Sequence, residues 1–100
     1  MIVVRRTYVP KPGEGGKMLA LIKEAGAAMK AAGFDRPRIL RGWQGDHGVI
    51  YTEQPWKTAS DYEASRESVR KTPGITSVFA RIYPTLAQTH HTEVLEEVEA

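Results

Sequence analysis

The sequence predicts an α+β fold of the ferredoxin-like, split βαβ kind. Its elements run β-α-β-β-α-α-β and give an antiparallel four-stranded sheet with helices on one face. Three observations carry that expectation. Residues 2–9 (Ile-Val-Val-Arg-Arg-Thr-Tyr-Val) are β-branched and aromatic and stop at Pro10-Lys11-Pro12-Gly13, the pattern of a strand followed by a breaker. Residues 16–32 place Met18, Ile22, Ala25, Met29 and Ala32 on one helical stripe, with Leu21 and Ala28 beside it. Residues 36–54 read as two strands around the turn Gly45-Asp46-His47-Gly48.

In the first strand Ile2, Val4, Arg6 and Tyr8 share one face, and Val3, Arg5, Thr7 and Val9 share the other. Both faces carry apolar residues, which suits a central strand covered on both sides. The helix over 16–32 keeps Lys17, Lys23, Glu24 and Lys30 off its stripe and is followed by Gly33, the residue type that tolerates a left-handed helix end. In the next strand, 36–44, Pro37 belongs at the start or on an edge, because it has no N–H for the ladder. The returning strand spans 49–54.

A second helix is expected over 58–71. Thr58-Ala59-Ser60-Asp61 and Ser60-Asp61-Tyr62-Glu63 both fit a capping box at its start. Its inward edge of Ala59, Tyr62, Arg66 and Val69 is thin, so the helix should be half exposed. Residues 75–88 alternate poorly as a strand. As a helix, Ile75, Val78, Phe79, Ile82 and Leu86 fall on one face, after Thr72 as N-cap and Pro73 in the first turn. Helix is the favoured reading, with Pro84 kinking it or ending its first half. The last strand is 91–98, with Thr92, Val94, Glu96 and Val98 on one side and Leu95 on the other.

One hundred residues suit a single domain over 1–100, with about two thirds of the unfolded chain's surface buried. Helices for one sheet face leave the other to be covered, and a second copy is the economical cover, so a homodimer is expected. The chain has no cysteine, hence no disulfides, thiolate metal site or nucleophilic thiol, which fits the cytoplasm. No apolar run approaches a membrane span, and the charge order at the start is not that of a signal peptide. Net charge is +2, but four of the 12 acids (Glu93, Glu96, Glu97, Glu99) close the chain. The bases are scattered apart from Arg5-Arg6 and Arg36, Arg38 and Arg41, so no continuous basic stripe for nucleic acid forms. The acidic end reads as a solvated strand face or as a partner for those three arginines across a dimer, at under about 1 kcal/mol for each exposed pair.

Arg6, Tyr8, Trp43 and Tyr51 lie on three strands and are expected to converge between sheet and helices. There they would form an aromatic pocket with an arginine for an anionic or phenolic ligand. The same residues also read as core aromatics beside a solvated arginine. His47 is a candidate general base by residue type, although its polar turn equally suits a solvated histidine. His90 and His91 point to opposite faces of an extended segment and lack a third ligand, so no metal is expected. Gly13-Glu14-Gly15-Gly16 has neither phosphate-loop nor dinucleotide spacing, so no nucleotide cofactor is expected.

On the Lys11-Pro12-Gly13 exit, the hairpin from Trp43 to Tyr51, Ser60-Asp61-Tyr62-Glu63, Thr72-Pro73 and Glu93-Val94-Leu95, nearly the whole chain resembles the dimeric α+β barrel superfamily. That group includes antibiotic-biosynthesis monooxygenase-like, NIPSNAP-like and EthD-like small proteins. The resemblance implies a homodimer. Members oxidise quinone-type substrates without a cofactor, degrade haem or rearrange lactones, and many have no known activity. The haem branch uses a histidine on the second helix, and residues 57–72 contain none. Two functions follow as expectations. One is a cofactor-free, oxygenase- or isomerase-like site at Arg6, Tyr8, Trp43 and Tyr51; the other is a non-catalytic dimeric module that binds a ligand or serves as a structural partner.

Overall fold

Seven consecutive strand-favouring residues form β1, Ile2–Tyr8, in a computed structural model that describes residues 1–99. Ala100, the last residue of the expected domain, lies outside the described residues. After β1 come α1 (Gly15–Ala31), β2 (Arg38–Arg41), β3 (Ile50–Trp56), α2 (Ala59–Arg70), α3 (Pro73–Ile82), a short 3-10 turn (Tyr83–Thr85) and β4 (His91–Glu96). The strands pair antiparallel in the order β2-β3-β1-β4. This is the α+β, ferredoxin-like arrangement that the order of elements predicts.

Period-two alternation decides which side of the sheet meets the helices. Tyr8 of β1 and Ile50 of β3 face each other across the ladder. Both join Met18, Leu21, Ile22 and Ala25 of α1 and Val78 and Ile82 of α3 in the buried cluster. The α1 stripe stops at Met29, and Ala32 is exposed at the helix end. There Gly33, at φ 94°, sends its N–H to the Lys30 carbonyl while Phe34 donates to Met29, closing the last turn. The buried cluster lies on that one side; on the sheet's other side Val3, Arg5 and Thr7 are half buried, with no helix over them among the described residues.

Four boundaries differ from expectation, each for a local reason. The strand expected over 36–44 is only four residues long, bracketed by Pro37 and Gly42. From Gly42 the chain loops out until its N–H reaches the Val49 carbonyl at 2.9 Å, with Gly45 and Gly48 at positive φ. The returning strand runs on through Pro55 to Trp56. Proline is tolerated there because β2 pairs with β3 no further than Glu53, so Pro55 has a neighbour only on the β1 side. The helix expected over 75–88 ends at Ile82. Pro84 shapes a 3-10 turn, and Leu86 then forms an isolated antiparallel bridge with Pro10. The last strand stops at Glu96, and Val98 is solvent-exposed.

The α2 cap is Thr58, whose Oγ1 accepts from the Asp61 N–H at 3.1 Å, so the first of the two candidate boxes sets the start. Thr72 sits at the N-cap of α3, but its hydroxyl donates back to the Ser68 carbonyl at 2.8 Å instead of capping. That bond ties the two helices into one corner.

Candidate functional site

Strand register brings Arg6, Gln54, Trp56 and Thr92 onto the helix-covered face, since Arg6 pairs with Thr52 and Thr92, Val4 with Gln54 and Ile2 with Trp56. Opposite them, α2 presents Tyr62, Ser65, Arg66, Val69 and Arg70. These positions recur at the three- and four-residue steps of one helical face. Phe79 and Ala80 of α3, followed by Tyr83, form a third wall. Together they enclose a cavity of about 470 Å³. A void of about 40 Å³ shares Arg6, Met29, Gln54 and Phe79 with it and reaches down to Tyr8.

Tyr62 organises the polar side. Its phenol oxygen accepts from Arg6 Nη2 at 3.2 Å and from Arg66 Nη1 at 2.6 Å, and the Arg66 guanidinium also lies 5.6 Å from the ring centroid. A phenol that accepts twice still has its own O–H to donate. Trp56 packs between Phe34 and Tyr62, with centroids at 6.2 and 5.8 Å. Arg6, Arg66 and Arg70 have no carboxylate partner, and no Asp or Glu lines the cavity, among the described residues.

His90 arrives by a longer route. Hydrogen bonds from Lys11 to Thr85 and from Ala87 to Val9, both 2.8 Å, run the segment after α3 beside the end of β1. His90 is thereby sandwiched between Tyr8 (centroids 5.5 Å) and Tyr83 (6.0 Å). Loss of water around the ring lowers its pKa, and the positive charges of Arg6 and Arg66 push the same way, so the imidazole is neutral at neutral pH. Its Nδ1, like Trp56 Nε1, is buried and lacks a hydrogen-bond partner among the described residues. Burial raises the Tyr8 phenol pKa, against Arg6 and Thr52, so Tyr8 stays protonated.

Of the residues singled out from the sequence, Arg6 stands in the cavity wall and Tyr8 lies beneath it, 3% exposed. Trp43 and Tyr51 do not converge with them. Trp43 is 87% exposed because it falls in the loop that replaces the end of the expected strand. Tyr51 pairs with Thr7, which puts it on the sheet's uncovered face. His47 is exposed in the same loop and lines neither cavity. His91 is exposed, and no group of three or more metal-ligating side chains occurs among the described residues. No helix of the described residues is long and apolar enough to cross a membrane.

Sequence reasoning missed Trp56, Tyr62, Arg66, Arg70 and His90 as parts of one site. One signal was available: Arg66 sits on the inward edge of α2, where a purely structural helix would carry an apolar residue.

No protein-family model matches the sequence, and no curated protein is similar to it. Solved structures do share its fold. An uncharacterized NIPSNAP domain protein from Burkholderia xenovorans aligns with a TM-score of 0.80 and 20% identity, over 98% of this chain and 95% of that one. A NIPSNAP family protein from Agrobacterium tumefaciens aligns at 0.82 and 16% identity, over 98% and 93%. An antibiotic biosynthesis monooxygenase aligns at 0.75 and 16% identity, over 99% and 100%. The chain thus has the fold of the superfamily that its sequence resembles.

Proposed function

We propose that the cavity between sheet, α2 and α3 binds a small, flat, largely apolar molecule whose polar end meets Arg6. The observation that carries this reading is the cavity itself. Its volume of about 470 Å³ falls within the range of small-molecule sites, and its walls combine apolar and aromatic surface with a few polar groups. The test fills the space. Ala80 is exposed on the cavity side of α3, so Ala80→Trp should leave the fold intact by circular dichroism. Calorimetric binding of a naphthalene-type probe should then fall about tenfold or more. Unchanged binding in a folded variant rejects the site.

Catalysis is the second reading, and the observation that favours it is the place of His90 in the cavity wall, where loss of water lowers its pKa. An unprotonated imidazole beside two guanidinium groups is suited to take a proton from an acidic C–H or O–H of the ligand, while the positive charge nearby stabilises the resulting anion. A cofactor-free oxygenation or isomerisation would begin with that step, and the fold shared with an antibiotic biosynthesis monooxygenase supports the same class. Hydroxyquinones and anthrones, scored for oxygen uptake with the wild type and His90→Gln, decide it. Uptake that His90→Gln abolishes while binding persists supports catalysis, and binding without uptake leaves a ligand-binding module.

The uncovered sheet face serves a second copy of this chain. Val3, Leu40, Tyr51 and Leu95 share that face and have no helix over them among the described residues. The sheet's two edges are also oppositely charged, with Arg38 and Arg41 on β2 and Glu93 and Glu96 on β4. A stable dimer should bury on the order of 1,600 Å² in total.

A further inference from the structure

We propose that the ligand is a dianion on an apolar body, an aryl dicarboxylate or an aryl phosphate, with its charge held by Arg6 and Arg66 and drawn in by Arg70. This rests on reading the cavity as a small-molecule site and adds the chemical class of its occupant.

The charge inventory carries the inference. Outside the cavity, Arg5 and Arg38 both pair with Glu53 at 2.7 Å and Arg81 pairs with Glu24 at 2.6 Å, whereas Arg36 and Arg41 are exposed without a carboxylate partner among the described residues. In the cavity, Arg6 and Arg66 have only the Tyr62 hydroxyl, and Arg70 has no carboxylate partner among the described residues. Arg66 and Arg70 stand one turn apart on the same face of α2, a like-charge spacing that weakens a helix. On α2 the nearby Glu67 carboxylate is taken by Lys71 at 3.0 Å. One bound negative charge would leave two guanidinium groups uncompensated. A dianion can face both Arg6 and Arg66, accept their planar forks in bidentate fashion and take the Tyr62 O–H as well.

The remaining groups agree with that assignment. His90 and Tyr83 add no carboxylate to the wall, and at His90 the positive charges of Arg6 and Arg66 add to the loss of water that chiefly lowers its pKa. Met29, Val69, Phe79 and Ala80 provide the apolar surface, and the volume admits a fused aromatic pair. Arg66 and Arg70 are exposed at the mouth, where their contribution includes attracting the ligand from solution and depends on salt.

Four naphthalene probes of one shape separate the outcomes by calorimetry: naphthalenemethanol (neutral), naphthoate (one charge), naphthalene dicarboxylate and naphthyl phosphate. They are compared at about pH 7.5, where an aryl phosphate is mostly dianionic. At least one dianion should bind about tenfold tighter than naphthoate. Whichever of the two binds tighter identifies the source of the charge. Arg66→Gln should bring that dianion to within roughly threefold of naphthoate and leave naphthalenemethanol unchanged, while Arg66→Lys restores part of the preference. Circular dichroism confirms that both variants are folded. Naphthalenemethanol or naphthoate binding as tightly as both dianions overturns the dianion while leaving the cavity a binding site. So does Arg66→Gln weakening every probe equally. No binding by any of the four overturns both readings.

Discussion

Arg5 and Arg6 are neighbours in the chain and end in opposite electrical situations, because strand alternation sends one to each side of the sheet. On the uncovered side, Arg5 places its Nε and Nη2 at 2.9 and 2.7 Å from one oxygen of Glu53, and Arg38 holds the other oxygen at 2.7 Å. On the covered side, Arg6 meets a phenol that already accepts from Arg66. One arginine is neutralised by the protein; the other is left for something else to neutralise. The covered face therefore holds both the apolar core and the unmatched charge, the pairing expected of a binding site.

The largest effect that would sharpen this contrast concerns the two tyrosines on opposite faces. Tyr8→Ala removes a ring from the core and should lower stability to chemical denaturation by about 3–5 kcal/mol. Tyr51→Ala should cost about 1 kcal/mol and shift the mass in light scattering from twice 11.1 kDa toward the monomer. Equal costs would erase the distinction between the faces. A wild-type mass of 11.1 kDa at micromolar concentration would remove the second copy from the uncovered one.

A smaller effect reads the Glu53 network. Hydrogen bonds from Arg38 and Arg5 hold the Glu53 carboxyl below the usual range. The folded state therefore binds the proton less readily than the unfolded one. That stability is present above the ordinary glutamate pKa and is lost as pH falls through the folded value. Glu53→Gln should flatten the acid limb of stability against pH and cost about 1 kcal/mol near neutrality. An unchanged acid limb would show that the network contributes nothing.

The smallest effect belongs to His90. Its folded pKa is lowered, so below about pH 6.5 the unfolded chain takes up a proton that the folded chain resists. Stability should fall as pH drops through that window, and His90→Gln should lose this slope. A slope of the opposite sign would mean that the ring is protonated in the folded state.

Much of this fold was legible because its signals are local. The β-branched run of residues 2–9, the stripe from Met18 to Met29 and the Ile75–Ile82 face each declare a period that burial then obeys. The site was less legible because its parts meet through pairings far apart in sequence. Tyr51 is strand-like wherever it sits, and only its opposition to Thr7 sends it away from Arg6. Trp43 reads as the end of a strand until Gly42, Gly45 and Gly48 turn the segment into a loop. His90 owes its position to a bridge between Pro10 and Leu86, which no spacing encodes. Arg66 was visible on the inward edge of α2, but Tyr62 had to be set beside Arg6 before its purpose could be read.

The most direct test of the covered face as a ligand site compares Arg5→Gln with Arg6→Gln, each titrated calorimetrically with naphthoate and each unfolded in denaturant. Arg6→Gln should weaken binding about tenfold with little loss of stability, whereas Arg5→Gln should lower stability by up to about 1 kcal/mol and leave binding unchanged. Equal weakening by both variants, or by neither, would contradict the account.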